Sequence, residues 1–175
     1  MTTITRGVRN NNPGNIRHSA NEWQGKSALQ PDGAFVTFDG PEWGIRAMHK
    51  VLQSYQRAGK RTIAAMIGTW APEADHNNTG VYVAKVAAAV GVAPTVPVDV
   101  MDYAVAGKMI PAMIAVECAG YVYPRAVVDE GLRRAGVVVP ATSFAPAPMP
   151  AAPASSPPRP AGLLAWLFSL LGRRT

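Results

Sequence analysis

One cysteine, Cys118, stands among 175 residues. No disulfide can close within the chain, and no zinc cluster can be built on thiolates. The three histidines, His18, His49 and His76, lie far apart, and no His-Glu-x-x-His occurs, so neither a metal nor a cofactor is expected. A phosphate-cradling loop and a Gly-x-Ser-x-Gly elbow are both missing, which leaves nucleotide and serine-triad chemistry without support. The net charge is +6, yet no concentrated Lys/Arg stripe interleaves with aromatic residues, so nucleic acid is not an expected partner. Met1–Arg9 is polar and lacks an apolar core, and no secretory signal is read there. A target beyond the cytoplasm would then need another agent to deliver the protein or open the barrier.

What is present begins with a turn. Residues 6–17 contain Asn10-Asn11-Asn12-Pro13-Gly14-Asn15; Asn-Pro and Pro-Gly favour tight turns, and asparagine tolerates left-handed backbone. Such amides suit either a solvated turn or a surface that reads sugar hydroxyls and acetamido groups. Phe35–Phe38, between Asp32-Gly33 and Asp39-Gly40, predicts a brief strand paired near Gly14–His18, a small hairpin beside a helical body.

Helical periodicity then takes over. Pro41 and Glu42 open a helix whose face is Trp43, Ile45, Met48, Leu52 and Tyr55, stopping near Gly59. Thr62 caps a second helix with Ile63, Met66, Ile67 and Trp70 in register. After the polar loop Glu73–Asn78, a third helix covers Thr79–Val90 and ends at Gly91. Asp99 is expected to cap a short helix that Gly107 breaks. A separate helix follows with Pro111 in its first turn, and a last one runs from Pro124 to Gly136.

The pattern closes one domain over residues 1–139. Residues 140–160 hold half of the chain's sixteen prolines and read as an extended linker. Residues 161–175 are apolar nearly throughout and end on Arg173-Arg174-Thr175. As a helix, Ala161–Leu171 would reach about 16 Å at 1.5 Å per residue, too short to span a bilayer. It suits a membrane interface, the groove of a partner protein such as a virion component, or no partner at all.

The chemistry concentrates in Met109–Gly120, where Met109, Ile110, Met113, Ile114 and Val116 flank Glu117 at helical spacing. A carboxylate encircled by apolar groups is costly to ionise, so the spacing predicts a raised pKa and a general acid. A glutamate on the solvent face of an ordinary helix is the plainer alternative. The polar Asn77-Asn78-Thr79 cap and Tyr82 one turn on add groups able to hold a sugar ring, the ingredients of glycoside cleavage.

Arg9-Asn-Asn-Asn-Pro-Gly-Asn-Ile-Arg17, Phe35-Val-Thr-Phe-Asp-Gly-Pro-Glu-Trp-Gly-Ile-Arg-Ala47, and Trp70-Ala-Pro followed by Asn77-Asn-Thr-Gly-Val-Tyr82 resemble small phage proteins with a lysozyme-like fold, known as virion components and as peptidoglycan-degrading enzymes. The order is also similar to peptidoglycan glucosaminidases and lytic transglycosylases, with Ala112–Gly120 resembling their catalytic-Glu helix moved behind the Asn turn by circular permutation. Cys118-Ala119 departs from the Asn-Gly that relatives often carry there. The resemblance covers roughly residues 6–137. It implies a mainly α, lysozyme-like α+β domain that acts on peptidoglycan glycan strands. Glu117 would protonate the glycosidic oxygen, and Tyr82 would stack on a sugar or support the oxocarbenium-like state. Asn11, Asn15, Asn78, Thr79 and Glu42 would hold substrate; Glu42, Glu73 and Asp75 are also the candidate second carboxylates, each with a plainer reading as a helix-cap or loop charge. It also implies residence in a phage virion or host cytoplasm, with action at the host wall. A non-catalytic virion or wall-binding protein on the same fold is the rival reading.

Overall fold

A computed structural model describes residues 4–141; the expected proline-rich linker from 142 onward and the apolar tail lie outside the described residues. The described chain is mainly helical: α1 (Arg6–Arg9), α2 (Pro41–Arg57), α3 (Ile63–Trp70), α4 (Thr79–Val90), α5 (Tyr103–Glu117) and α6 (Arg125–Ala135). Among the described residues, no helix is long and apolar enough to cross a membrane.

The helix ends follow local chemistry. Thr62 Oγ1 accepts from Ala65 N at 3.2 Å and Asn78 Oδ1 from Val81 N at 3.2 Å, each satisfying a first-turn donor that lacks an intrahelical partner. Gly91 and Gly136 close α4 and α6 in the left-handed region. Ile45, Met48 and Leu52 of α2, Met66 and Ile67 of α3, Val86 of α4, Met109 to Ile114 of α5 and Leu132 of α6 form one buried core. Within it α2 packs on α6, α4 on α5 and α3 on α4.

Two expectations need correction. The first concerns Gly107 and Pro111, which do not divide the segment; both lie inside the continuous α5. Proline at 111 has no N–H for the Gly107 carbonyl four residues back. Arg125 supplies the missing donor, its Nη1 reaching Gly107 O at 2.8 Å. A Cβ on residue 107 would lie 2.7 Å from Arg125 Nη2, so the glycine makes room for the group that repairs the helix. The cap is Asp102, bonded to Ala104 N, whereas Asp99 accepts from Met101 N and Gln56.

The second concerns the expected hairpin, which is absent as a sheet. Only isolated antiparallel bridges join Arg17 to Phe35 and Lys26 to Phe38. The two segments do meet, with Val36 N donating to Ile16 O at 2.9 Å. Side chains occupy the backbone groups that a longer ladder would need. Asn12 Nδ2 donates to Val36 O at 2.8 Å, and the Gln30 amide both donates to and accepts from Thr37.

A polar group also ties the helical body together. His49, fully buried, bonds through Nε2 to Val100 O and through Nδ1 to the Gln53 amide, which also donates to Ala135 O. Burial pushes the His49 imidazole down to about 4, helped by Lys50 and opposed by the Val100 bond.

Candidate active site

The Asn10–Asn15 corner is wedged between helices. Gly44 of α2 lets it approach, because a Cβ there would overlap the Asn11 carbonyl and press on Pro13. Asn11 and Asn15 adopt positive φ (50° and 48°), which asparagine tolerates better than other side-chain-bearing residues. Most of the amides face inward. Asn10 Nδ2 donates to Asp32, Asn11 Nδ2 to Phe38 O at 3.0 Å, and Asn12 to Ile16 O and Val36 O while accepting from Ile16 N. Asp32 also receives Arg6 and the backbone N–H groups of Ala34 and Phe35. These bonds, Arg6 first and then Asn10, hold its carboxyl well below the usual carboxylate range.

Asn15 alone of the four asparagines reaches the end of α5. Its Nδ2 donates to Glu117 Oε2 at 3.0 Å. The other oxygen, Oε1, receives Trp70 Nε1 at 2.8 Å and Tyr82 OH at 3.0 Å. Three elements thus converge on one half-buried carboxylate: the asparagine corner, the last residue of α3 and the first turn of α4. The apolar encirclement expected around Glu117 is not its environment. Met109, Ile110, Met113 and Ile114 point into the core, while the carboxylate meets three polar hydrogens. Burial raises the Tyr82 phenol, and the charge of Glu117 raises it further. Tyr82 therefore stays protonated and acts as the donor.

With Oε1 doubly engaged and Oε2 held by Asn15 alone, Oε2 keeps a lone pair free of any partner among the described residues. Glu117 lines a groove of about 940 Å³ together with Asn15, Arg17, Tyr55, Trp70, Asp75 and His76. It also lines a smaller concavity of about 290 Å³ with Asn77, Asn78, Tyr82 and Lys85. The two hollows share Asn77 and Glu117 and together make a trough that suits an extended polymer.

The remaining expected site residues fall elsewhere. Asn78 lies at the trough, though its Oδ1 caps α4. Thr79 is buried, its hydroxyl donating to Ala71 O, so it folds the loop before α4 and presents nothing to the trough. Asn11 is engaged by Phe38 and does not line the groove. Glu42 sits at the start of α2 on the α6 side, 4.0 Å from Arg134, and is not a groove residue. Among the other carboxylates considered, Asp75 lines the groove and Glu73 does not. Cys118 is buried, its Sγ donating to Pro13 O at 3.6 Å; burial, and after it the nearby Glu117, raises its thiol. It packs as a small apolar group rather than a nucleophile. Trp70 is the residue that sequence reasoning left in a helix face. Its indole N–H is donor-only and needs an acceptor when part-buried, the signal that could have paired it with a nearby acid. Among the described residues, no group of His, Cys, Asp and Glu side chains is placed to hold a metal ion.

No protein-family model matches the chain. The chain is similar to Protein P5 of Pseudoalteromonas phage PM2. The two are 36% identical over 96 residues, a match that takes in 53% of this chain and 59% of that protein. The chain thus spans about three-fifths of the length of the curated relative it matches, and the likeness links it to bacteriophage proteins.

Proposed function

We propose that the domain is a phage peptidoglycan glycosidase, of muramidase, glucosaminidase or lytic transglycosylase type, with Glu117 as its general acid. The observation that carries the reading is the asymmetric hold on the carboxylate. Trp70 and Tyr82 fix Oε1, while Oε2 is held by Asn15 alone and keeps a lone pair to spare, on a residue that lines the groove. A proton carried on Oε2 would pass to the oxygen bridging two amino sugars as that bond breaks and positive charge builds on the ring. Tyr82 remains a donor to Glu117 throughout and holds its orientation. The amides of Asn15 and Asn77 edge the trough within reach of sugar substituents. Attack on the ring then comes from the substrate's own hydroxyl, which gives an anhydro product, or from water assisted by the acetamido group.

Phage delivery to the host wall accords with the likeness to a phage protein. The test is mass analysis of what the full chain releases from purified cell wall. Muropeptides with a new reducing end, or with an anhydro end, are expected. Wall that binds the protein and releases no glycan fragment would replace this reading with that of a non-catalytic virion or wall-binding protein.

A further inference from the structure

We propose that Lys85 is a specificity-determining residue, whose ammonium pairs with a carboxylate on a short acidic peptide branching from the glycan strand. The inference rests on the glycosidase reading for the identity of the polymer. It deepens that reading by naming which part of the polymer is recognised.

Lys85 follows Tyr82 by one helical turn on α4, so the two side chains share a face. It lines the concavity that contains Glu117 and also the next one along, a hollow of about 500 Å³ that it shares with Val116. Past Glu117 the trough therefore continues between α4 and the end of α5. Lys85 is the one cation lining these two hollows, and Glu117 is the one acid. Among the described residues its ammonium has neither a hydrogen bond nor an ion pair. Two other cations are engaged otherwise: Arg17, which lines the larger groove, lies 4.9 Å from the centre of the Phe35 ring, and Lys108 donates to Val90 O.

The Lys85 ammonium is exposed and unpaired, so it can take an anion without breaking an existing pair, and the glycan's hydroxyls and acetamido groups do not supply one. The peptide stems of cell-wall glycan do supply one. The wall of the second hollow is built from Ala112, Ala115, Val116, Ala119 and Gly120. These small side chains leave space for a thin peptide rather than a second sugar strand. An exposed pair of this type contributes about 0.2–1 kcal/mol and weakens with salt, so the effect is one of preference among walls.

The experiment measures co-sedimentation of the full chain with two insoluble walls: native peptidoglycan, and the same material with its stem carboxylates amidated. At low salt the wild type is expected to bind the native wall about two- to fivefold more tightly, the range that such a pair allows. Lys85→Gln should bring that ratio to about one, Lys85→Arg should keep it, and Arg57→Gln, a charge loss on α2, should not alter it. A wild-type ratio of one, failure to pellet with either wall, a ratio preserved in Lys85→Gln, or an equal fall in Arg57→Gln would each overturn the proposal. Release of glycan fragments is scored on the same samples. A chain that releases none yet shows the Lys85-dependent ratio refutes the glycosidase reading and leaves the acidic-stem contact standing.

Discussion

The asparagine corner and the helical body are held by different forces. In the body, Ile45, Leu52, Met66 and Met113 are shielded from water, and the contribution of each scales with the apolar area it hides. The corner has almost no regular secondary structure. It is fixed by side-chain amides and one carboxylate that bond to backbone groups at Ile16, Ala34, Phe35, Val36 and Phe38. Apolar packing tolerates small changes of shape, whereas a buried hydrogen-bond set fails when one donor becomes an acceptor. The corner is thus the less forgiving region, although its composition looks like that of a surface loop.

An isosteric exchange in each region sharpens that contrast. Asn12→Asp keeps the volume but removes the donors to Ile16 O and Val36 O and turns a carboxylate oxygen on two carbonyls. A loss of about 3 kcal/mol or more in chemical unfolding is expected. Leu52→Met in the body should cost less than about 1.5 kcal/mol. Equal costs would erase the distinction.

His49 is where the body borrows the corner's method, and pH exposes it. Its folded value of about 4 lies below the unfolded 6.5, so the native state binds fewer protons between those limits. Stability should be complete above about pH 6.5, fall as pH drops toward 4, and lose of the order of 3 kcal/mol across the window. The paired carboxylate of Asp32 is held low and acts below that range. His49→Gln should flatten the unfolding midpoint between pH 6.5 and 4; an unchanged slope would remove His49 as the cause.

Trp70 joins the two regions, since its ring packs on the core and its N–H meets Glu117. Trp70→Phe keeps the ring and deletes one bond. The expected cost is about 1 kcal/mol of stability. Turnover of wall should fall roughly tenfold while KM changes less than about twofold, because Trp70 orients the acid rather than holding substrate. A change confined to KM would make it a sugar-binding residue instead.

Legibility in the sequence divides along the same line. The bounds of α4 and the caps at Thr62, Gly91 and Gly136 can be read from residue types, because capping is local. The continuity of α5 through Gly107 and Pro111 cannot, since the donor that rescues it comes from Arg125, eighteen residues from the carbonyl it serves. Glu117 and Tyr82 stand out as chemically unusual in their helices, and the structure joins them. The amides of the Asn10–Asn12 run suit either a solvated turn or a sugar-facing surface in the sequence, because composition does not say which way a turn points; the structure turns them inward. Their partners at Asp32, Val36 and Phe38 lie more than twenty residues away.

The account turns on Glu117, and Glu117→Gln tests it most directly. The glutamine oxygen can still accept from Trp70 and Tyr82, while its NH2 loses the Asn15 bond, so circular dichroism should match wild type and the stability loss should stay at about 1 kcal/mol. Clearing of purified cell wall should fall by about 10²–10⁴-fold, as expected for loss of a general acid. A folded Glu117→Gln protein that clears wall at the wild-type rate would contradict the assignment.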